Sequence, residues 1–315
     1  MLPRVSVVIP AYGVASYIAE TLASVFAQTL EDREVIVVND GSPDTPALEL
    51  AIAPWRDRII YHAQANGGTS AARNCGIRLA RAEYIGFLDG DDRWEPAALA
   101  DHVAALDADP SLGLHFSNGT FFGQSHLAGR EMMAVCPVEG EIALIPLLRG
   151  TCSVFIGGVA RKIALEQAGL FDPAVRTSED FDLWVRVLGA GWRIGYTRRP
   201  LFGSRIRAGS LSSDRTRMER SALQVFDKIG RTAPLTAEER RVLEEEIERR
   251  RGVLALEAGK LELKAGRYGE ARTQLAAAYA KLGGRKLGLV VGAMAISPPL
   301  VRWLLSRRED NAGAS

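Results

Sequence analysis

Strand-length apolar runs alternate with helical stripes of apolar residues along the first third of the chain. Apolar residues three and four positions apart, as at Ile18, Leu22 and Val25, indicate amphipathic helices. Thr45 is predicted to cap the second helix, with Pro46 at its first position. The four predicted strands cover residues 5–9, 34–38, 58–62 and 84–88, and helices are predicted between and after them, among them one over residues 70–81. Repeated β–α units of this kind predict an α/β fold with a mostly parallel sheet and helices on both faces.

The rest of the chain changes character twice. Residues 112–206 mix short strands and helices, whereas the sequence from Leu235 onward is charged and helical. The stretch from Gly266 to Ala271 indicates a turn between two helices, similar to one helix pair of a tetratricopeptide repeat. Because a single unit does not make an array, we expect a helical appendage. The predicted parts are a sheet domain over residues 1–215, the appendage over 216–285 and an apolar, basic tail over 286–315.

The composition narrows the class of protein. An apolar fraction of 47% over 315 residues allows a sizeable core, and a net charge of +1 argues against bulk binding of nucleic acid. Cys75, Cys136 and Cys152 are odd in number and far apart, which favours reduced thiols. The histidines have no metal-ligand spacing, and the first apolar run soon meets Pro10, so no signal peptide is predicted. We therefore expect a cytoplasmic protein.

The tail has a separate signature. Residues 287–301 are apolar and broken by two prolines, and they are shorter than the roughly 20 residues that a membrane-spanning helix needs. Every charged residue from Lys281 to Arg308 is basic. Two interpretations stay open: peripheral contact of residues 286–308 with the cytoplasmic face of a membrane, and a helix that packs on the appendage.

The strongest chemical signal is the carboxylate cluster that follows the predicted strand over residues 84–88. Asp89 and Asp91 lie two positions apart, so an extended backbone directs both side chains to one side. Oxygen ligands of this kind suit a hard divalent cation, Mg²⁺ or Mn²⁺. An acidic surface turn or a helix cap is the alternative for this motif alone.

Three further motifs belong with this cluster. Asp40 follows the second predicted strand and can accept hydrogen bonds from a base or a ribose, and the carboxyl ends of parallel strands meet at one edge of a sheet. The glycines after Asn66, up to Gly68, precede a helix that carries Arg73, an arrangement that suits an anion such as phosphate. Glu179 and Asp180 open another helix, where they could also serve only to complement the helix dipole.

Together these motifs resemble family 2 glycosyltransferases with the GT-A fold. The resemblance covers about residues 5–212. It implies a nucleotide-sugar donor, a divalent metal ion and inversion at the anomeric carbon. The motifs that carry it are Ile-Pro-Ala-Tyr, Val-Val-Asn-Asp-Gly-Ser, Asn-x-Gly-x-Ser-x-Ala-Arg-Asn, Phe-Leu-Asp-x-Asp-Asp and Ser-Glu-Asp-x-Asp-Leu-Trp.

The resemblance assigns roles to single residues. Asp40 corresponds to the carboxylate that holds the base, Asp89 to the aspartate near the ribose and the metal, Asp91 to the metal ligand and Asp180 to the general base. In the family, the loop that contains Pro10, Ala11 and Tyr12 lies along the nucleotide. The complete predicted nucleotide-sugar-binding set is Pro10, Ala11, Tyr12, Asp40, Asn66, Gly68, Arg73, Asp89, Glu179 and Arg207.

Two departures from the family pattern affect the expected chemistry. Arg207 stands where the family often has a histidine that helps to hold the metal or the diphosphate, and an arginine can contact phosphate but cannot ligate a cation. The Gln-x-x-Arg-Trp motif of processive synthases is absent. We therefore expect transfer of a single sugar, with UDP as the commonest carrier in the family, to a glycan or a lipid-linked glycan.

Two alternative functions remain at this point. A sugar-phosphate nucleotidyltransferase would carry a Gly-rich, Arg-containing loop after the first strand, which residues 10–13 do not form. A non-catalytic nucleotide-sugar scaffold or sensor would have no use for the general base Asp180.

Overall fold

The computed structural model describes residues 2–207 and 215–302 and divides into two compact units. The first unit comprises residues 1–213 and 231–234, and the second comprises residues 214–230 and 235–315. The strands are β1 (Val5–Ala11), β2 (Arg33–Asp40), β3 (Ile60–Gln64), β4 (Tyr84–Phe87), β5 (Arg93–Trp94), β6 (Leu112–Gly123), β7 (Val159–Arg161) and β8 (Arg193–Ile206). The helices of the first unit are α1 (Ile18–Phe26), α2 (Thr45–Ile52), α3 (Thr69–Leu79), α4 (Ala98–Ala108), α5 (Met132–Val135), α6 (Leu144–Arg149), α7 (Lys162–Gln167) and α8 (Glu179–Gly189).

The eight strands form one sheet in the order β3-β2-β1-β4-β7-β6-β8-β5. The pairs β1–β2, β1–β4, β2–β3 and β6–β8 are parallel, whereas β7 is antiparallel to β4 and β6, and β5 is antiparallel to β8. The predicted α/β fold is confirmed. The sequence pattern did not reveal that β7 inserts between β4 and β6 in the opposite direction.

Both faces of the sheet are covered by helices, as predicted. Side chains alternate along β2, so Val35 and Val37 point into one core and Ile36 and Val38 into the other. Helices α1, α2 and α4 pack on the first face, and α3, α7 and α8 pack on the second. The carboxyl ends of β1, β2 and β4 therefore meet at one edge between two rigid layers.

The predicted N-cap of α2 is wrong by one residue. Asp44 is the N-cap, and Thr45 and Pro46 are the first two helical residues. Thr45 is not available as a cap because its hydroxyl donates to the Ser42 carbonyl at 2.7 Å and accepts from Asn39 Nδ2 at 2.9 Å.

The second unit is helical. It contains a hydrophobic cluster formed by Leu263, Ala271, Leu275, Met294 and Val301. No helix among the described residues is both long and apolar enough to cross a membrane. The helices of the second unit are α9 (Arg215–Thr232, whose last two residues belong to the first unit), α10 (Ala237–Lys264), α11 (Tyr268–Leu282) and α12 (Arg285–Ile296). Of the predicted membrane-contact segment, residues 303–308 lie outside the described residues.

A buried histidine pair joins α4 to the sheet of the first unit. His102 Nδ1 lies 2.9 Å from His115 Nδ1, so the N–H of one ring donates a hydrogen bond to the nitrogen of the other. His115 also hydrogen-bonds to the backbone of Tyr196, whereas the buried Nε2 of His102 has no partner among the described residues. Burial and the neighbouring His115 lower the pKa of His102 to about 3.

This pair predicts a loss of stability in mild acid. Below the ordinary histidine pKa of 6.5, the unfolded chain binds a proton at position 102 that the folded chain excludes down to about pH 3. The free energy of unfolding should therefore fall by up to about 1.4 kcal/mol per pH unit from His102 alone. The free energy of unfolding, measured with urea between about pH 7 and about pH 5, should depend less steeply on pH in His102→Gln than in the wild type. The difference between the two slopes should correspond to about one bound proton.

The exposed His126 supplies the control for this measurement. His126→Gln should keep the wild-type slope because its side chain is already in solvent in the folded chain. Equal slopes for the wild type and His102→Gln would show that the pair does not control acid stability.

Candidate active site

A cleft of about 550 Å³ opens where β1, β2 and β4 end. Its volume lies within the range of small-molecule sites, and most polar groups that line it are carboxylates and guanidinium groups. The lining residues are Pro10, Ala11, Tyr12, Gly13, Val14, Asp40, Thr69, Ala72, Arg73, Asp89, Gly90, Asp91, Asp92, Glu179, Ser204, Arg205 and Arg207. The cleft thus collects most of the predicted site residues, whereas Asn66, Gly68 and Asp180 are not among those that line it.

The loop after β1 is held in place by the loop after β2. Gly13 N–H donates to Ser42 Oγ at 2.7 Å, and Ala15 N–H donates to Asp44 Oδ2 at 3.0 Å. Gly13 has φ +63°, a conformation that glycine adopts without strain. Tyr12, beside it, is 52% exposed and presents its ring at the rim of the cleft.

Asp40 organises the glycine loop after β3. Its Oδ1 accepts from Gln64 Nε2 at 2.7 Å and from Gly67 N–H at 2.9 Å, and its Oδ2 accepts from Gly68 N–H at 2.8 Å. The glycine loop was predicted to suit an anion such as phosphate, but the N–H groups of Gly67 and Gly68 donate to the Asp40 carboxylate instead. Asn66 is exposed.

Arg73 connects three elements of the site. It is 3% exposed, and its Nη2 lies 2.7 Å from Asp89 Oδ1 while its Nη1 lies 2.7 Å from Glu179 Oε1. The guanidinium also lies 5.3 Å from the centre of the Phe171 ring. One buried cation on α3 thus holds the carboxylate after β4 and the carboxylate that opens α8.

Asp180 lies beside Glu179 in the first turn of α8 and is half-buried. Burial and the negative charge of Glu179 raise the pKa of Asp180 to about 6, although Arg73 opposes the shift. The residue before this turn, Ser178, has φ +60°, a strained conformation for a residue other than glycine. Such strain is typical of functional sites, and here it precedes the two carboxylates directly.

The carboxylates after β4 are clamped by the end of β8. Arg205 N–H donates to Asp92 Oδ1 at 2.7 Å, and Arg205 Nε donates to the Asp91 carbonyl at 2.8 Å. Burial and the charge of Asp89 raise the pKa of Asp91, and burial with both neighbouring aspartates raises that of Asp92 further. The negative charge here is therefore only partly compensated by the protein.

Arg207 makes its ion pair with the predicted metal ligand. Its Nε lies 2.8 Å from Asp91 Oδ2, although the N–H bond is not directed at that oxygen, and its Nη1 donates to the Gly13 carbonyl at 3.0 Å. The guanidinium thus lies between the loop after β1 and the Asp-x-Asp motif. The last part of the motif compared with the family, residues 208–210, lies outside the described residues.

The donor set fits a divalent cation that shares its ligands with a substrate. No group of three metal-ligating side chains occurs among the described residues, so the chain forms no all-protein cage there. Mg²⁺ in enzymes commonly uses one or two carboxylates and completes its shell with waters and substrate phosphates. Asp89 and Asp91 offer such a pair, and burial together with the charge of Asp89 raises the pKa of Asp91, a shift that a bound cation would oppose.

Several contributing residues were not predicted. Ser42 and Asp44 fix the loop after β1, and Arg205 and Asp92 fix the Asp-x-Asp motif. Asp92 and Ser42 were visible as the last residues of their motifs. The partners of Asp44 and Arg205 lie far away in the chain, so no local pattern marks these two residues.

The sequence is similar to known glycosyltransferases. A family model described as glycosyl transferase family 2 matches residues 6–154. An uncharacterized glycosyltransferase of Rickettsia felis is 33% identical over 193 residues, which make up 59% of this chain but 31% of that protein. The succinoglycan biosynthesis protein ExoU of Rhizobium meliloti is 30% identical over 239 residues, which cover 71% of this chain and 68% of that protein. The chain thus spans less than a third of the Rickettsia protein.

Solved structures share the fold. S. aureus TarS 1-349, crystallised in complex with UDP-GlcNAc, superposes with a TM-score of 0.65 at 19% identity, covering 98% of this chain and 89% of that one. The mannosyltransferase PcManGT of Pyrobaculum calidifontis, in complex with GDP-Man and Mn²⁺, gives a TM-score of 0.60 at 21% identity, covering 96% of this chain and 83% of that one. At these identities the likeness establishes the fold.

The central position of Arg73 predicts a large effect of its removal. Arg73→Met should lower the free energy of unfolding by about 3 kcal/mol near pH 7, because it leaves the half-buried carboxylates of Asp89 and Glu179 without a counter-ion. Urea unfolding near pH 7 measures the effect.

The same helix offers a matched control. Arg78 is exposed on α3, and Arg78→Met should change stability by no more than about 0.5 kcal/mol. If both variants were equally stable, Arg73 would not be the ion that holds this site together.

Proposed function

Because the chain belongs to glycosyl transferase family 2, we propose that this glycosyltransferase moves a single sugar from a nucleotide-sugar donor, preferably a UDP-sugar, to a hydroxyl group of a glycan or lipid-linked glycan. The family and the GT-A fold predicted from the motifs are confirmed. The observation that carries the proposal is the position of Asp180, a carboxylate of raised pKa in the same helical turn as a residue that lines the cleft.

The donor is proposed to lie along the ends of β1, β2 and β4. Asp40 lines the cleft and accepts three hydrogen bonds within the protein, and a carboxylate has about four acceptor positions, so one remains for a base N–H group. Pro10 and Ala11 at the end of β1, with Tyr12 after them, supply an adjacent wall. TarS was crystallised with UDP-GlcNAc and PcManGT with GDP-Man, which supports a nucleotide-sugar in this fold.

The diphosphate is proposed to face Asp89, Asp91 and Arg207. A divalent cation held by the two aspartates would act as a Lewis acid toward the departing diphosphate. Arg207 adds a guanidinium that suits phosphate oxygens and lies at the same end of the cleft. The Mn²⁺ in the PcManGT complex supports the proposed metal dependence.

The transfer is proposed as one inverting displacement. The acceptor oxygen forms a bond to the anomeric carbon, the bond from that carbon to the diphosphate oxygen breaks, and the electron pair leaves with the nucleoside diphosphate. Asp180 accepts the proton of the attacking hydroxyl. Its pKa of about 6 leaves it ionised near neutral pH and basic enough for this step.

The setting is proposed to be the synthesis of a surface polysaccharide on the cytoplasmic side of the membrane. ExoU, which shares 30% identity over 239 residues, is described as a succinoglycan biosynthesis protein. The three cysteines are free, which is typical of a reducing compartment.

A non-catalytic nucleotide-sugar scaffold or sensor is the alternative. It is favoured by one observation: the guanidinium of Arg207 forms an ion pair with Asp91, the carboxylate that the proposed metal ion would need. It is opposed by the environment of Asp180, which a binding protein does not require.

The general base predicts both a rate loss and a pH profile. Asp180→Asn should lower kcat by about 10²–10⁴-fold because no group then accepts the hydroxyl proton. Wild-type kcat should rise with pH through about 6 as Asp180 loses its proton, and this limb should vanish in the variant. Initial rates with radiolabelled nucleotide-sugar measure both.

Two controls keep this test specific. Calorimetry should give the Asp180→Asn protein unchanged donor affinity, and Glu166→Gln, which alters an exposed carboxylate, should keep the wild-type rate. Unchanged turnover in Asp180→Asn would contradict the assignment of Asp180 as the general base, whereas unchanged cellular function of that variant would favour the sensor.

The metal ligands predict cation-dependent donor binding. UDP-, GDP- and dTDP-sugars titrated into the protein with Mn²⁺ and then with EDTA should identify one donor whose affinity depends on the metal. Asp91→Asn should bind that donor with little dependence on Mn²⁺, since the cation loses one of its two proposed protein ligands. Arg207→Gln should bind Mn²⁺ alone more tightly, because Asp91 loses its competing guanidinium.

Asp32→Asn is the matched control, since Asp32 is an exposed aspartate. Full metal dependence in Asp91→Asn would contradict the assignment of that residue. Failure of every nucleotide to bind would contradict the proposed function itself.

A further inference from the structure

After Arg285 and Lys286 in its first turn, helix α12 is apolar on every side, which is unusual for a helix at the surface of a protein. No charged residue occurs between Lys286 and Arg302. One side of this segment packs inward, where Met294 and Val301 are 1% and 5% exposed and join the hydrophobic cluster of the second unit. The internal packing of the unit therefore accounts for only one of its faces.

The opposite side forms an exposed apolar stripe. Leu289, Ile296 and Leu300 are 74%, 87% and 53% exposed, and Ala293 lies exposed between the first two. The spacing of four and three positions places Leu289, Ala293 and Ile296 on one face of α12, and Leu300 follows in the segment after Ser297, the C-cap of the helix. Single exposed apolar residues are ordinary, but several on one face mark an interaction surface.

The charges around this stripe indicate what covers it. Arg285 and Lys286 are exposed at the start of α12, and Arg302 is exposed just after the stripe. Among the described residues from Lys281 onward, no acidic side chain occurs. An apolar stripe framed by cations at both ends complements the surface of an anionic bilayer, where apolar side chains enter the acyl boundary and basic ones remain at the headgroups.

We propose that α12 and the segment up to Arg302 dock this protein on anionic membrane surfaces, with Leu289, Ile296 and Leu300 inserted. The helix lies in the plane of the interface rather than across it, since its 12 residues reach only about 18 Å of a roughly 30 Å hydrocarbon core. This inference does not rest on the proposed transfer reaction, because it uses none of the residues of the cleft.

Flotation of the full chain with vesicles tests the proposal. We expect the protein to bind phosphatidylcholine vesicles that contain phosphatidylglycerol, and to bind pure phosphatidylcholine vesicles at least tenfold more weakly, because each basic residue near an anionic surface contributes about fivefold. Arg285→Glu with Lys286→Glu should remove this preference. Equal binding to both vesicles would overturn the electrostatic part of the proposal.

Insertion is tested with Leu289→Glu and Ile296→Glu. Each should reduce vesicle binding by at least about tenfold, because a charge replaces a side chain that the proposal places inside the membrane. Leu50→Glu is the matched control, because Leu50 is 77% exposed on α2 and should leave binding unchanged. Circular dichroism checks that each variant keeps its helices.

A second copy of the chain is the competing occupant of the stripe. Light scattering of the wild type and of Ile296→Glu separates the two possibilities. A wild-type dimer that the substitution dissociates, together with no vesicle binding by either protein, would overturn membrane docking. A wild type that floats with anionic vesicles and a variant that does not would support it.

Discussion

The site depends on one constraint: several carboxylates lie close together at one edge of the sheet, and nearby cations must compensate their mutual repulsion. Arg73 is the buried cation that makes this arrangement stable, because it contacts Asp89 after β4 and Glu179 at the start of α8. The two carboxylates come from segments that share no local sequence. The ion pairs on Arg73 therefore fix α8 to the parallel part of the sheet.

The last strand supplies a second set of cations at the same edge. Arg205 binds the backbone of Asp91 and the side chain of Asp92, and Arg207 lies against Asp91 itself. Arg207 is therefore a counter-ion of Asp91 that the chain itself supplies. In the proposed function, a divalent cation that enters with a diphosphate would share Asp91 with this guanidinium, which could also bind a phosphate oxygen.

Much of this architecture was predictable from the sequence, for reasons that are local. Apolar runs marked β1, β2 and β4, and the carboxylates that follow strands, such as Asp40 and Asp89, had to lie at the carboxyl edge of a parallel sheet. The partners of these groups could not be predicted. Arg73 meets Glu179 across 106 positions, and the Gly68 amide meets Asp40 across 28, so only the folded chain reveals that the glycine loop holds a carboxylate.

The roles of two adjacent carboxylates follow from the same constraint. Glu179 receives the guanidinium of Arg73 at 2.7 Å, whereas Asp180 accepts a backbone N–H bond from Phe181 at 2.8 Å and lies beside the charge of Glu179. Burial and this neighbour raise the pKa of Asp180 to about 6. When the surroundings treat two acids differently, the one with the raised pKa is suited to accept a proton. Arg73 thus holds the Glu179 carboxylate beside Asp180, where it adds to the effect of burial on the pKa of Asp180.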